Sequence, residues 1–352
     1  MAEKPTVLMT GVSGKLGLRV LKQLEDFHVV GVDVHPPEDA RALTHFEPTD
    51  LAQERSCDQL LQLLRAYRPE AVIHLSFVVD PTRARVMDRS RMWHINVAGS
   101  GRVVEAIAEH NRILGGMNKF VFASNGSVYG ADLPKPVAED APLEADSLPS
   151  ALDAKEVDLA IQGRARSMKC RTYILRPNIF AGANVENFFL GVLRGVPGGY
   201  RSWGKRMRQQ GKRLPLVLPS GGNYLEHKFQ FVHVEDMARL IAHIVRRKQF
   251  DPALNILNVS GRGDPIQLES CARMAGLEIK RVPGRHVWRM LLRLWWDLGI
   301  SDVPPEALPY LLGSYTMQTS RLRVFLGDEY KKVIHYTCEE ALAESLKNLV
   351  TG

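Results

Sequence analysis

The sequence predicts an α/β protein with a Rossmann-type, doubly wound parallel sheet and a smaller C-terminal domain. A short apolar run at residues 6–10 precedes a glycine-rich turn and a segment of helical periodicity, and a second strand-like run follows at residues 28–34. Strand, turn, helix and strand in this order form one βαβ unit. The alternation of helix and strand loosens after about residue 180, as expected where a small domain closes over the carboxyl edge of the sheet.

The turn after the first strand has the pattern of a phosphate cradle. Gly11 permits a tight turn, Gly14 lets the backbone approach a pyrophosphate, and Gly17 lets the helix pack closely on the sheet. The helix that begins here presents unpaired N–H groups and the positive end of its dipole. We therefore predict that a dinucleotide diphosphate binds at Gly11, Val12, Ser13, Gly14, Lys15, Leu16 and Gly17.

The second strand ends in a carboxylate at Asp33, twenty-two residues after Gly11. A carboxylate at this position can accept hydrogen bonds from both ribose hydroxyls of an adenosine and repels a 2′-phosphate. The sequence therefore favours NAD over NADP. His35 and Arg41 lie nearby and keep NADP open as the less favoured alternative, and a turn or capping role is the alternative for Asp33 itself.

The GxxGxxG spacing after Thr10 resembles the extended short-chain dehydrogenase/reductase family, the group that contains sugar-nucleotide epimerases and dehydratases. The resemblance covers nearly the whole chain. It continues in the family's order through residues 48–51, 71–81, 95–107, 120–130, 174–182, 229–245, 257–276 and 319–327.

This resemblance implies a division of the chain and further contacts to the cofactor. Residues 1–178 would form an NAD-binding Rossmann domain with a late return strand and helix near 229–258, and residues 179–352 would be mainly a substrate-binding cap. Asp50 and Leu51 would lie in the turn near the adenine, and Leu75 and Ser76 would pass the pyrophosphate. Asn96 would brace the active-site strand, and Lys155 would bind the nicotinamide ribose.

Two catalytic positions depart from the family pattern. The family uses a tyrosine, a lysine four residues later and a serine or threonine, because residues i and i+4 share one helical face. Matched onto SALDAK, the lysine is Lys155, but the tyrosine position holds Ala151, which can neither donate nor accept a proton. The usual hydroxyl position holds Asn125.

Four side chains are the candidates for any surviving chemistry: Lys155, Asn125, Ser124 and Tyr129. Lys155 could act as a desolvated amine, with an ordinary surface lysine as the alternative. Asn125 could orient a carbonyl or hydroxyl. Ser124 neighbours Asn125 on a strand and so points to the opposite face. Tyr129 is the nearest tyrosine on this segment, with packing in the VYG turn as its alternative role; water or the substrate itself could also supply a proton.

The substrate positions also differ from those of sugar-nucleotide enzymes. The arginine that usually pairs with a diphosphate is replaced by Phe229, and the asparagine usual after the LRP-type strand is replaced by Ile179. Both changes argue against a UDP-sugar. They favour a less charged and more apolar small-molecule substrate.

Composition narrows the range of partners. The formal net charge is +7, but much of it lies in residues 194–215, which is one local segment rather than a spread nucleic-acid footprint. The four cysteines show no paired spacing, so we expect neither a metal site nor a disulfide framework. The sequence has no signal-peptide pattern and no apolar run long enough to span a membrane, so we expect a cytoplasmic protein.

One helix-like segment, residues 285–299, has three interpretations. Its charged residues recur at intervals of four, and Trp, Leu and Met cover most of its remaining surface. It could pack on the substrate domain, form an apolar wall for a substrate, or rest on a membrane surface. A second copy of the chain is a further candidate partner, because the resembled family often dimerises through two helices that flank the sheet.

Three functions compete. The first is an NAD-dependent oxidoreductase that lacks the usual tyrosine and acts on a small or apolar substrate. The second is a sugar-nucleotide epimerase or dehydratase with a rearranged active site, and the third is a non-catalytic protein that senses NAD(H) or serves as a structural subunit. The sequence favours the first, because the tryptophan-rich cap indicates a ligand cavity.

Overall fold

A computed structural model of the chain describes residues 4–347. In these residues the strands are β1 (Thr6–Thr10), β2 (His28–Asp33), β3 (His45–Pro48), β4 (Ala71–His74), β5 (Lys119–Ala123), β6 (Arg171–Pro177), β7 (Ile179–Ala181), β8 (Leu216–Pro219), β9 (Lys228–Phe229), β10 (Phe231–His233), β11 (Leu254–Val259), β12 (Ile266–Gln267) and β13 (Ile279–Val282).

The helices of the same residues alternate with these strands in the first half of the chain and predominate in the second. They are α1 (Lys15–Lys22), α2 (Ser56–Tyr67), α3 (Pro81–Ala84), α4 (Arg89–Trp93), α5 (Gly99–Ile113), α6 (Pro149–Arg164), α7 (Phe188–Arg194), α8 (Ser202–Gln209), α9 (Val234–Arg246), α10 (Leu268–Met274), α11 (Gly284–Asp297), α12 (Leu308–Leu312), α13 (Ser320–Leu326), α14 (Tyr330–Val333) and α15 (Cys338–Leu346). None of these helices is long and apolar enough to cross a membrane.

The centre of the fold is a seven-stranded parallel sheet in the order β11-β6-β5-β4-β1-β2-β3. This is the predicted doubly wound Rossmann-type sheet. The strand order reverses beside β1, where Thr10 pairs with Val32 on one side and with His74 on the other. A ligand crevice is expected outside the carboxyl ends of the strands at such a switch point.

Helices cover both faces of the sheet because successive strand residues point to opposite sides. Val7 and Met9 of β1 join a core with α1 and α9, while Leu8 joins a core with α2, α5 and α6. Full burial of an aliphatic side chain contributes about 1.5–3 kcal/mol. The central sheet is therefore a firm support for the loops at its carboxyl edge.

The C-terminal half supplies the last strand of this sheet and a group of helices and small sheets that we call the cap. Strand β11 pairs with β6, and α9 packs beside α1. The remaining elements form small two-stranded sheets and a third hydrophobic core that includes residues of α7, β8, α10, α11 and α12.

Candidate cofactor site and active site

The glycine turn after β1 leaves no room for side chains. Gly11 has φ +72°, and a Cβ atom on it would lie 2.6 Å from the carbonyl carbon of Leu75 and the nitrogen of Ser76. A Cβ on Gly17 would collide with the carbonyl oxygen of Gly11. Helix α1 begins at Lys15, so the N–H groups of its first turn lack acceptors within the helix. The turn fits the diphosphate of a dinucleotide.

Asp33 lies at the end of β2 and its carboxylate faces this turn. One oxygen accepts a hydrogen bond from the backbone N–H of Ser13 at 3.0 Å, and the other accepts from Val34 N–H at 2.8 Å. A carboxylate offers about four acceptor positions, so capacity remains for two ribose hydroxyls. Arg41, which left NADP open, is paired with Asp39 at 2.8 Å and is largely exposed.

Asp50 caps the turn after β3 and also meets a cation. One of its oxygens accepts from Ala52 N–H at 3.0 Å, and the other lies 3.2 Å from a guanidinium nitrogen of Arg91. The side chain of Leu51 is buried beneath this turn. Asp50 and Leu51 thus form a rigid turn at the open edge of the sheet, beyond β2.

The segment after β4 is fixed by a buried chain of hydrogen bonds. The Thr10 hydroxyl lies 2.6 Å from Nδ1 of His74, whose Nε2 lies 2.8 Å from the Ser100 hydroxyl. Burial lowers the pKa of His74 to about 3, so the ring is neutral near pH 7. This chain joins β1, β4 and α5 below Leu75 and Ser76, which pack against Gly11.

Asn96 fastens the next part of the same loop, as a bracing residue would. Its oxygen accepts from Val78 N–H at 2.7 Å, and its amide donates to Val78 O and to Asp153, each at 3.0 Å. Asp153 is buried and pairs with Arg89. Because Asp153 precedes Lys155 by two residues on α6, this clamp connects the cofactor loop with the helix of the catalytic positions.

Ala151 and Lys155 lie one turn apart on α6. Ala151 is fully buried, in a core that includes Leu148 and Ala145. The Lys155 amine donates to the Ala145 carbonyl at 3.3 Å and remains partly exposed. The lysine is therefore close to the position of the missing tyrosine, but no proton-carrying side chain occupies that position.

Asn125 follows β5 and caps the short turn Gly126–Tyr129. Its oxygen accepts from both the N–H and the hydroxyl of Ser127. Within residues 4–347 its amide nitrogen makes no hydrogen bond. The fixed oxygen thus orients a free N–H₂ donor, which suits it to holding a substrate oxygen.

The hydroxyls of two catalytic candidates, Ser124 and Tyr129, already make hydrogen bonds to buried groups of the protein. The Ser124 hydroxyl donates to Asp158 at 3.0 Å, and the Tyr129 hydroxyl donates to Asn258 at 2.8 Å and accepts from Arg176 at 2.7 Å. Burial raises the pKa of Tyr129, opposite to what a proton shuttle at neutral pH needs. The expected chemical roles of Ser124 and Tyr129 are disfavoured, because both hydroxyls belong to a buried network that packs this segment.

The position of the diphosphate-pairing arginine is apolar throughout. Phe229 is fully buried and its ring lies 4.6 Å from that of Phe189. Ile179 lies in β7 opposite Phe231, and the neighbouring Asn178 amide is bonded to Gln230 at 3.1 Å. No cation therefore stands at the position of the diphosphate-pairing arginine, although the adjacent Lys228 is exposed.

An apolar cavity of about 70 Å³ lies in the cap next to these residues. Its apolar walls include Phe189, Val192, Leu218, Trp288, Leu292 and Trp295. Arg83, Arg208 and Asp302 form a polar edge. Leu311 also lines the cavity, and the residue before it, Tyr310, donates to Ser127 O at 3.3 Å, two residues from Asn125.

Sequence reasoning missed several of these groups. Asp153 and Arg89 lie 64 residues apart, so their pairing has no local signature. Arg83 lies on a short helix after β4, and its Nη1 is buried without a hydrogen-bond partner in the described residues. These residues stand among other charged residues in the sequence, so their charge alone did not distinguish them. In residues 4–347 no cluster of His, Cys, Asp and Glu could hold a metal ion.

Fold and crevice together define a dinucleotide-binding protein of the Rossmann type. More particularly, residues 7–260 match the model of the NAD dependent epimerase/dehydratase family, and the chain belongs to that family. The cofactor expected from Asp33, NAD, is the cofactor of this family. The sequence-based identification of family, fold and cofactor is confirmed.

Two proteins of known name are similar in sequence to part of this chain. The chain is 32% identical over 145 residues to a UDP-glucose 4-epimerase of Azospirillum brasilense, which is 40% of this chain and 39% of that protein. It is 33% identical over 143 residues to a UDP-glucose 4-epimerase of Mycolicibacterium smegmatis, which is 39% of this chain and 44% of that protein. In both cases the alignment spans less than half of the relative's length.

Solved structures share the fold over the whole chain. A UDP-glucose 4-epimerase of Thermus thermophilus in complex with NAD superposes with a TM-score of 0.62 at 16% identity, over 98% of this chain and 99% of that one. The enzyme WbmG of Bordetella bronchiseptica in complex with NAD gives 0.64 at 13% identity, over 98% and 94%. At such identities the likeness shows the fold.

Proposed function

We propose that this protein is an NAD(H)-dependent oxidoreductase of atypical type that acts on a small or apolar substrate. The observation that carries the proposal is the apolar cavity in the cap, together with the buried Phe229 at the position where the family pattern has a diphosphate-pairing arginine. Bound NAD would accept or donate a hydride. The remaining chemistry would fall to the side chains that line the crevice.

Lys155 and Asn125 would have different roles at the reacting centre. Lys155 would bind the nicotinamide ribose, and the free amide of Asn125 would donate to a substrate oxygen. The Asn125 donor would stabilise negative charge on that oxygen, and an amide cannot replace the tyrosine as a proton carrier. The proton would come from water or from the substrate. Reduction of an activated double bond fits this site better than oxidation of a simple alcohol.

Restoring the tyrosine is expected not to raise activity. Ala151→Tyr places a large ring in a fully buried site, so we expect a loss of about 1–3 kcal/mol in the free energy of unfolding from overpacking. Urea unfolding measures this loss, and NADH oxidation with candidate substrates measures activity. Ala160→Tyr, on the exposed face of the same helix, is the control. A large gain of activity in Ala151→Tyr would instead indicate an ordinary enzyme that has lost its tyrosine.

The polar edge of the cavity narrows the chemical class of the proposed substrate. Arg83 Nη1 is buried and unpaired in residues 4–347, so a ligand with an apolar body and an acceptor oxygen would satisfy it. We expect Arg83→Met to weaken decanoate binding about tenfold and to leave decanol binding unchanged, as a lost hydrogen bond to a charged group predicts. Displacement of an apolar fluorophore measures both affinities. Arg85→Met, two residues on and exposed, is the control; equal effects of the two variants would contradict the assignment.

A sugar-nucleotide epimerase or dehydratase is the second candidate, favoured by the UDP-glucose 4-epimerases among the relatives. The missing arginine and tyrosine weigh against it. Calorimetric titration of the NAD-loaded protein with UDP-glucose separates the two candidates, because only the second predicts binding. A non-catalytic NAD(H) sensor would bind NADH but would neither bind decanoate nor oxidise NADH with any substrate.

A further inference from the structure

Two helices of the cap expose an apolar surface that the fold of the chain does not cover. It is formed by Tyr200, Trp203, Val287, Met290, Leu294 and Leu298, whose exposed fractions lie between 39% and 68%. We call it the α8–α11 surface. Scattered single apolar residues are normal on a protein, but a group of large ones on adjoining elements marks an interaction site.

The two elements are fastened to each other. Arg201, just before α8, donates to the carbonyl of Asp297 at the end of α11. Gly204 in α8 packs so closely that a Cβ on it would collide with the carbonyl of Gly299. Asp302 binds the N–H of Gly199, and Arg208 lies 3.2 Å from the same carboxylate. Tyr200 and Trp203 are thus held at the carboxyl end of α11.

Helix α11 has two apolar stripes, and only one of them serves the core. Trp288, Leu292 and Trp295 face inward and line the cavity. Val287, Met290, Leu294 and Leu298 recur at helical spacing on another face and remain exposed. The inward stripe suffices to pack the helix, so the second stripe has no role within the folded chain.

The charge around this surface favours one of two possible partners, a second copy of the chain or an anionic membrane. Residues 201–213 and 284–298 contain a single acidic residue, Asp297. Arg208 pairs with Asp302 and Arg213 donates to the carbonyls of Ala275 and Gly276, and the remaining cations are Arg201, Lys205, Arg206, Lys212, Arg285, Arg289 and Arg293. Two copies meeting through this surface would bring these cations together, which costs binding energy. An anionic bilayer attracts them instead. Trp and Tyr are also the aromatic residues that suit the membrane interface.

We propose that the α8–α11 surface docks on an anionic membrane as a peripheral, interfacial contact. The cavity lies directly behind this surface, since Leu292, Trp295 and Arg208 belong to these two helices and also line it. Docking would therefore bring the cavity to the bilayer interface, from which an amphiphilic substrate could enter. That second step rests on the proposed function; the docking itself does not.

Vesicle flotation of the full chain tests the docking. The protein should float with vesicles of phosphatidylcholine and phosphatidylglycerol, bind pure phosphatidylcholine at least tenfold more weakly, and lose binding as salt rises, because salt screens the cations. Met290→Glu combined with Leu294→Glu should weaken binding at least tenfold, since it places two anions in the buried part of the contact. Arg289→Glu with Arg293→Glu should weaken binding to the anionic vesicles.

The matched control is Val324→Glu, which adds the same charge at an exposed apolar residue on α13. It should float like the unchanged protein, and all variants should keep their NADH affinity, which shows that they are folded. Failure of the unchanged protein to float with anionic vesicles would overturn the proposal. So would equal flotation of the Met290/Leu294 and Val324 variants, or light scattering that shows a dimer abolished by Met290→Glu. If the protein floats with the vesicles but does not bind decanoate, the docking proposal is supported and the proposed substrate class is wrong.

Discussion

Replacing Asp33 by alanine is expected to weaken NADH binding about 100-fold, because hydrogen bonds to a charged group contribute about 1.5–3 kcal/mol each. In the structure this carboxylate faces the glycine turn and holds Ser13 N–H at 3.0 Å. The variant removes both the ribose acceptor and this support of the cradle. Titration of NADH fluorescence or calorimetry on purified protein measures the change without any substrate.

The control for this experiment is Glu38→Ala, which removes one negative charge from an exposed position five residues further on. It should bind NADH as the unchanged protein does. Asp33→Ala should also discriminate less against NADPH, since the repulsion of a 2′-phosphate is lost. Equal NADH affinity in Asp33→Ala and the unchanged protein would refute the assigned site, and with it the enzyme and sensor functions alike.

The sheet and the cradle were predictable from sequence because their causes are local. The apolar runs of β1 and β2 lie a few residues from the glycines, and Gly11, Gly14 and Gly17 are needed for backbone reasons that their spacing expresses. The same holds for the absent tyrosine at Ala151, since a helical turn fixes its relation to Lys155.

Contacts across long stretches of chain were not predictable in this way. Asn96 meets Asp153 across 57 residues, and Arg176 meets Tyr129 across 47. Nothing in the sequence around these residues distinguishes them from ordinary polar residues. The choice between Ser124 and Asn125 illustrates the limit: strand alternation predicted opposite faces, but only the fold shows that the Ser124 face contains Asp158.

The cavity could not be predicted from the sequence either, because its walls come from separate parts of the chain: α3, α7, β8, α11 and α12. Tryptophans in residues 285–299 indicated an apolar wall, and Trp288 and Trp295 do line the cavity. The exposed stripe on the same helix could not be separated from that wall in sequence, since helical periodicity gives relative angles and not the direction of the core.

Breaking the buried ion pair between Arg176 and Asp158 is expected to cost about 3–5 kcal/mol of the free energy of unfolding, because it leaves one charge buried without a partner. Both side chains are at most 1% exposed. Arg176 donates to the two oxygens of Asp158 at 2.8 Å each, and its third nitrogen donates to Tyr129 and to Glu139 O. Asp158→Leu or Arg176→Met alone should show this loss in urea unfolding.

The double variant, Arg176→Met with Asp158→Leu, distinguishes the ion pair from simple packing. Replacing both members of a buried pair with apolar residues is often close to neutral, so the double variant should recover most of the stability that either single variant loses. Glu105→Gln, which breaks the exposed pair with Arg164, should cost less than about 1 kcal/mol. Additive losses in the double variant would mean that the two side chains contribute by packing alone. Non-additivity would instead show that the two charges stabilise each other, within the network that also binds Ser124 at the end of β5.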